Sequence, residues 1–199
     1  MLGDVSGKGA EAAAVTALTR YTLRALADPH ARPSHTLRLL NEQMVSTTDT
    51  ERHCTLVYAV ARTGGHGLAV TLSLAGHHPP LLTRSHGEVE PTGELGTAVG
   101  LLDDVELHDV QVLLDPGDSL CLFTDGLVEA RRHLTLFGED RVAEILREGR
   151  HRPLEDLADE LVDAPRRFHG PELADDLAVL LLRAAPARGT GAAPVPSPA

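Results

Sequence analysis

The sequence predicts an α+β domain, and three observations carry that prediction. An alanine-rich helical pattern comes first, a run of short alternating apolar segments follows, and two amphipathic helical patterns precede one last apolar strand. Helices and strands therefore come in blocks rather than in βαβ alternation. The 199 residues suit a single domain with a real core. Apolar residues make up 42 %, aromatics only 3 %, and Trp is absent, so Leu, Val and Ala must fill that core.

Residues 9–27 read as the first helix, from alanine content and the spacing of Ala14, Leu18, Tyr21 and Ala25. Asp28-Pro29 ends it, because proline cannot continue the hydrogen-bond ladder. Ser34 is expected to cap a second helix whose apolar face is Leu37, Leu40 and Met44. Strands follow. Cys54–Arg62 alternates through Leu56, Tyr58 and Val60, and Gly64-Gly65 turns the chain into Leu68–Leu74.

After the loop Gly76-His77-His78-Pro79-Pro80 comes the short run Leu81-Leu82. Glu106–Leu114 and Ser119–Phe123 are the next strands, joined by the turn Asp115-Pro116-Gly117-Asp118. Val142, Ile145 and Leu146 mark one helix; Leu154, Leu157 and Leu161 mark another, with Pro153 at its start. Leu177–Leu182, apolar almost throughout, is expected to be buried on both faces. The domain is assigned to residues 1–183, and the Ala/Pro/Gly-rich residues 184–199 are expected to be a disordered tail.

Charge narrows the function. With 18 Lys+Arg against 29 Asp+Glu the formal net charge is −11, which argues against a general nucleic-acid or anionic-membrane binder. Cys54 and Cys121 lie in apolar strands at no metal or redox spacing, as expected of buried thiols in a reduced compartment. The start of the sequence lacks the pattern of a signal peptide, and no apolar run reaches membrane-spanning length. A cytoplasmic protein is expected.

The stretch that invites chemistry is Gly3-Asp4-Val5-Ser6-Gly7-Lys8-Gly9, a glycine loop opening onto a helix. Glycines let backbone approach a ligand, and a helix start offers free N–H groups to an anion. An Asp there can hold a cation while the loop receives a phosphate. Two further acidic positions sit at strand ends: Asp125, directly after Leu120–Phe123, and Asp175-Asp176, directly before Leu177–Leu182. Taken singly, each has an ordinary reading. Asp125-Gly126 is a common turn dipeptide or a helix cap, and Asp175-Asp176 suits a solvated loop end.

Together they read differently. Converging carboxylates about 4 Å apart repel by roughly 4 kcal/mol per pair at an effective dielectric of 20. That is large against a domain's stability of about 5–15 kcal/mol, so a cluster requires cations, and oxygen ligands favour Mg²⁺ or Mn²⁺. Other motifs are set aside. Gly3 to Lys8 is one residue short of a P-loop and Gly9 stands where Ser or Thr is required. Ser6 lacks the glycine frame of a nucleophile elbow, and His77-His78 lack a third zinc ligand. Lys8 is either a phosphate contact or a solvated lysine.

With these residues assembled, the chain resembles the SpoIIE/RsbU-type branch of the metal-dependent (PPM) protein phosphatases, the protein phosphatase 2C-like superfamily. The matching blocks are Gly3–Gly9 with Ala12-Ala13, Leu74–Leu82, Pro116-Gly117-Asp118, Phe123–Arg131 and Asp175–Val179, in the family's order. The resemblance implies a PPM-type α-β-β-α sandwich of two antiparallel sheets flanked by helices, with a two-metal site at one end. It carries over Asp4 as the bridging carboxylate, the Val5 carbonyl as a neighbouring ligand, and Asp125, Asp175 and Asp176 as further acids. Asp4, Asp125 and Asp175 are the expected catalytic positions; Lys8 and His77 are expected to meet substrate.

The implied reaction is hydrolysis of phosphoserine or phosphothreonine on a protein, typically an anti-sigma-factor antagonist, by a metal-activated water. A sensor domain usually lies N-terminal in this branch. Family members also carry a Gly-Gly-Asp-type block on strands ahead of the first glycine loop, which this sequence lacks. An N-terminally truncated reading of a longer protein, missing the first strands and at least one metal ligand, is therefore expected. Two rivals stand beside the hydrolase: a catalytically weak or inactive PPM-fold binding module, and a P-loop nucleotide hydrolase.

Overall fold

The structure, a computed structural model, describes residues 1–28, 30–47, 53–64, 67–169 and 176–185. Strand β1 (Leu2–Val5) leads into helices α1 (Ala10–Leu26) and α2 (Pro33–Thr47). Then come β2 (Cys54–Gly64), β3 (Gly67–Ala75), β4 (Leu81–Thr83), β5 (Val89–Pro91), β6 (Val110–Leu114) and β7 (Ser119–Phe123). A 3₁₀ turn at Asp125–Leu127 and a small hairpin, β8 (Arg131–Arg132) and β9 (Thr135–Leu136), precede α3 (Glu139–Glu148), α4 (Leu154–His169) and β10 (Val179–Arg183).

Two antiparallel sheets form, ordered β1-β2-β3-β6 and β10-β7-β4-β5. Side chains alternate across a strand, so each sheet can bury two faces at once. Leu120 and Leu122 of β7 pack with Val57, Leu72, Leu74 and Leu114 between the sheets. Cys121 and Phe123 of the same strand turn outward, against Val142, Leu146, Leu157 and Leu161 of α3 and α4. On the other side, Leu56 meets Val15, Leu23, Leu37, Leu40 and Met44 of α1 and α2. The layers are therefore α-β-β-α. Each fully buried Leu among these contributes about 1.5–3 kcal/mol of transfer free energy.

Several sequence expectations are corrected. Helix α1 packs through Ala12, Val15, Thr19 and Leu23; the residues whose spacing marks it as a helix, Ala14, Leu18, Tyr21 and Ala25, are not among its buried ones, and Tyr21 is 70 % exposed. In so alanine-rich a helix, apolar spacing marks more than one face, and only contact with the sheet selects between them. Ser34 lies inside α2, which Pro33 opens. Its N–H and hydroxyl both donate to Asp109 (2.8 and 2.7 Å), so a distant carboxylate serves this helix start. That engagement also shortens the strand expected over 106–114. Asp109 is drawn to α2, and Glu106 pairs with Thr97, leaving β6 to begin at Val110.

β10 is an edge strand with a single neighbour, so it is only half-buried and Leu180 remains 45 % exposed. Ala184 is 3 % exposed and bonds through its backbone to Gly117 and Asp118, so ordered chain runs past the boundary set at 183. The remainder of the expected tail, from residue 186 on, lies outside the described residues, as do Pro29 and the turn residue Gly65. Among the described residues, no helix is long and apolar enough to cross a membrane.

Candidate functional site

The glycine loop is held at the edge of the first sheet. Asp4 pairs with Thr55 and Val5 with Cys54 across β1 and β2. Beyond Val5, the Ser6 N–H donates to the His53 carbonyl (3.0 Å), and the Ser6 Oγ accepts from the His53 N–H (3.1 Å). Gly9 then opens α1 at φ 87°, an angle that favours glycine although an added Cβ there would meet nothing within 4 Å. No side chain caps this helix start. A helix start of this kind points N–H groups toward an approaching anion.

The second sheet brings its own acids to a strand end. Thr124, 4 % exposed, follows β7 and works as a latch. Its hydroxyl donates to the Asp176 carbonyl and accepts from the Ala178 N–H, both at 2.9 Å, while its own N–H donates to the Ala178 carbonyl (3.1 Å). Asp176 is thus tied to the residue beside Asp125. Half-buried Asp125 starts the 3₁₀ turn and accepts the Gly126 N–H on Oδ1 (2.9 Å).

Asp4 and Asp176 line one polar cleft of about 600 Å³, with Val5, Ser6, Lys8, Gly9 and Thr16 among its walls. Lys8 is exposed at this cleft. Asp125 stands at the mouth of β7 and is not among the residues lining it. Asp175 lies outside the described residues. Among the described residues, no three His, Cys, Asp or Glu side chains are grouped closely enough to hold a metal ion. The donors that do line the cleft, two carboxylates and the backbone of Val5, are oxygen donors suited to a hard divalent cation.

His77, expected to meet substrate, is held inside the fold. Its side chain lies at 3 % exposure, and both ring nitrogens are engaged. Nε2 lies 3.1 Å from the Phe123 carbonyl and Nδ1 3.1 Å from the Thr55 hydroxyl. A carbonyl only accepts, so Nε2 carries the proton and Nδ1 accepts from Thr55 in the neutral ring. Burial, helped by neighbouring His78, lowers the His77 pKa; the Phe123 carbonyl and the Asp125 charge oppose this without reversing it. His77 is therefore neutral at pH 7.

Thr124 and Thr55 were not assigned roles by sequence pattern. Thr124 sits within the Thr-Asp-Gly block, and that block was the available signal; Thr55 carries none. Neither cysteine is a nucleophile candidate. Burial pushes the Cys54 thiol up to about 11 and the Cys121 thiol up to about 12.

Four layers with acidic positions at the ends of both sheets define a protein phosphatase 2C-type fold. The Stage II sporulation protein E (SpoIIE) family profile matches residues 1–185, and the chain belongs to the SpoIIE family. It is 24 % identical over 183 residues to the phosphoserine phosphatase RsbU of Bacillus subtilis (strain 168), covering 92 % of this chain and 54 % of RsbU. The chain thus spans about half the length of that curated relative. Among solved structures, the RsbU and RsbW domains of a Mycobacterium tuberculosis protein match with a TM-score of 0.73 at 25 % identity, over 92 % of this chain and 51 % of that one. The protein phosphatase 2C domain of SpoIIE from Bacillus subtilis, solved with a fragment of its regulatory domain, shares the fold. Its TM-score is 0.73 at 18 % identity, over 92 % of this chain and 53 % of that one.

Proposed function

We propose that this chain forms a catalytic domain of a protein serine/threonine phosphatase acting on a phosphorylated regulatory protein. One observation carries the reading: Asp4 and Asp176, from opposite ends of the described chain, share a polar cleft with Lys8 at the uncapped start of α1. Membership of the SpoIIE family and similarity to the phosphoserine phosphatase RsbU support it. The substrate class we assign is a phosphorylated anti-sigma-factor antagonist, met in the cytoplasm, with an upstream sensor domain governing the activity.

The cation assigned is Mn²⁺ or Mg²⁺; Asp4, Val5 and Asp176, which line the cleft, would hold it, with Asp125 and Asp175 the further ligands that the family resemblance implies. Such an ion would supply a water of lowered pKa and charge to offset the phosphoryl oxygens. The chain's own groups do the rest. The Lys8 ammonium draws the phosphate to the cleft, and the N–H groups at the start of α1 offer donors to its oxygens. Water adds to phosphorus in line as the P–O bond to the serine or threonine oxygen breaks, and that oxygen takes a proton. No side-chain nucleophile is required.

A second reading is a catalytically weak or inactive binding module of the same fold. Phosphate release from a phosphorylated antagonist separates the two. The hydrolase gives release with Mn²⁺ that EDTA abolishes. Asp4→Asn and Asp125→Asn lower it by at least about 100-fold, the scale on which removing a charge-stabilising group acts. Binding of the phosphoprotein by folded protein without metal-dependent release instead supports the module.

A further inference from the structure

His77 lies between the two sheets, and its two ring nitrogens grip one strand from each. Nδ1 holds Thr55 of β2, the register partner of Asp4. Directly paired residues in an antiparallel ladder put their side chains on the same face, about 4.5–5.5 Å apart. Nε2 holds the carbonyl of Phe123, two residues before Asp125 and one before the Thr124 latch that secures Asp176. A single ring therefore touches both strand ends from which the site's acids project.

We propose that His77 is a positioning residue, a buried neutral imidazole that sets the separation between the strand end bearing Asp4 and the strand end bearing Asp125. It acts on the reaction only through those acids.

Histidine suits this task because a neutral imidazole offers one donor and one acceptor on a rigid ring, which no other side chain does. The chain around it is itself restrained. Gly76 turns at φ 65° and donates its N–H to the Gly96 carbonyl (2.8 Å), and Pro79-Pro80 follow directly. The ring is thus presented from a stiff loop. The effect on catalysis rests on the phosphatase reading above; the bracing does not.

Hydrogen–deuterium exchange on the full chain without metal, with phosphate release measured in parallel, tests the proposal. In His77→Ala, residues 2–9 and 122–129 should exchange at least about 10-fold faster while α3 and α4 keep their protection. His77→Gln, whose amide keeps a donor for the Phe123 carbonyl, should recover protection at 122–129. Thr55→Val should loosen 2–9 alone. With phosphatase activity present, kcat should fall in His77→Ala with little change in KM, and His77→Gln should recover part of it. If His77→Ala fails to fold, the Gln and Thr55 variants decide by the same segment-specific pattern. Unchanged exchange at both segments, or uniform acceleration through every element, overturns the brace. The expected exchange pattern in a chain that releases no phosphate leaves the brace standing and removes the phosphatase reading.

Discussion

Asp118 offers the sharpest stability test, because its carboxylate is 2 % exposed and fully engaged. Oδ1 accepts the Ser85 N–H (2.8 Å); Oδ2 accepts the Asp115 N–H (3.1 Å) and the Arg84 guanidinium (2.9 Å). The Asp118 backbone also accepts the Ala184 N–H, so this residue joins the ends of β4, β6 and β10. Asp118→Ala removes the acceptor of two backbone donors and one guanidinium, in residues of which Arg84 and Ser85 are half-buried and Asp115 is exposed. A loss of about 3–4 kcal/mol follows. Asp118→Asn keeps one acceptor oxygen and should cost roughly half as much.

Urea unfolding followed by circular dichroism reads this out as a midpoint lower by about 1–2 M for Asp118→Ala. The pH dependence has a definite sign. Burial pushes the Asp118 carboxyl up, but the Ser85 N–H, the Arg84 guanidinium and the Asp115 N–H outweigh it and leave its pKa below the ordinary value. Its contribution is then fully present above the unfolded carboxyl pKa of about 3.9 and is lost as pH falls through the lower folded value. The gap between wild type and Asp118→Ala should stay constant from about pH 7 to 5 and close below about pH 4. A gap under about 1 kcal/mol at neutral pH, or one that widens on acidification, refutes the reasoning.

Gly76→Ala should cost at least about 1–2 kcal/mol from the left-handed backbone alone, measured by thermal unfolding. The added Cβ would also press on Ala98 at 3.0–3.2 Å, and a cost near zero would show that the turn before His77 is not fixed. Both thiols should resist alkylation in the folded chain at pH 8 and react on denaturation, given burial that raises Cys54 to about 11 and Cys121 to about 12. Leu180→Thr on the open edge should move stability by no more than about 0.5 kcal/mol, while Leu122→Ala between the sheets should cost about 2–5 kcal/mol in the same unfolding assay.

Strand β7 is readable to the residue, because an unbroken apolar run is bounded by the Asp115–Asp118 turn before it and Thr124-Asp125-Gly126 after it. Met44, Leu40 and Leu37 are readable as a buried face because they recur at helical spacing with Arg38, Asn41, Glu42 and Gln43 between them. The face of α1 is not, since alanine marks every side of that helix alike. Thr124 and Thr55 act through partners far away in sequence, which no local pattern encodes. His77 shows the same limit from the other side. Its place in a glycine-proline loop suggests exposure to ligand, yet its neighbours in space are the backbone and hydroxyl of two buried strands. Asp118 sits in a turn whose own Asp115 amide reaches it, but the Arg84 guanidinium and Ser85 amide that complete its burial come from the far side of β4.

The latch at Thr124 also dictates when the cleft can come into being. Asp4 emerges from the ribosome among the first residues of this stretch, whereas Asp176 and β10 come after every other described element. At about 5–20 residues per second, roughly 9–35 s separate the two during synthesis. Throughout that interval the nascent acidic loop waits without its counterpart. Competence is therefore acquired in one late event, when the final strand zips onto β7, and half-made chains carry the scaffold without the site.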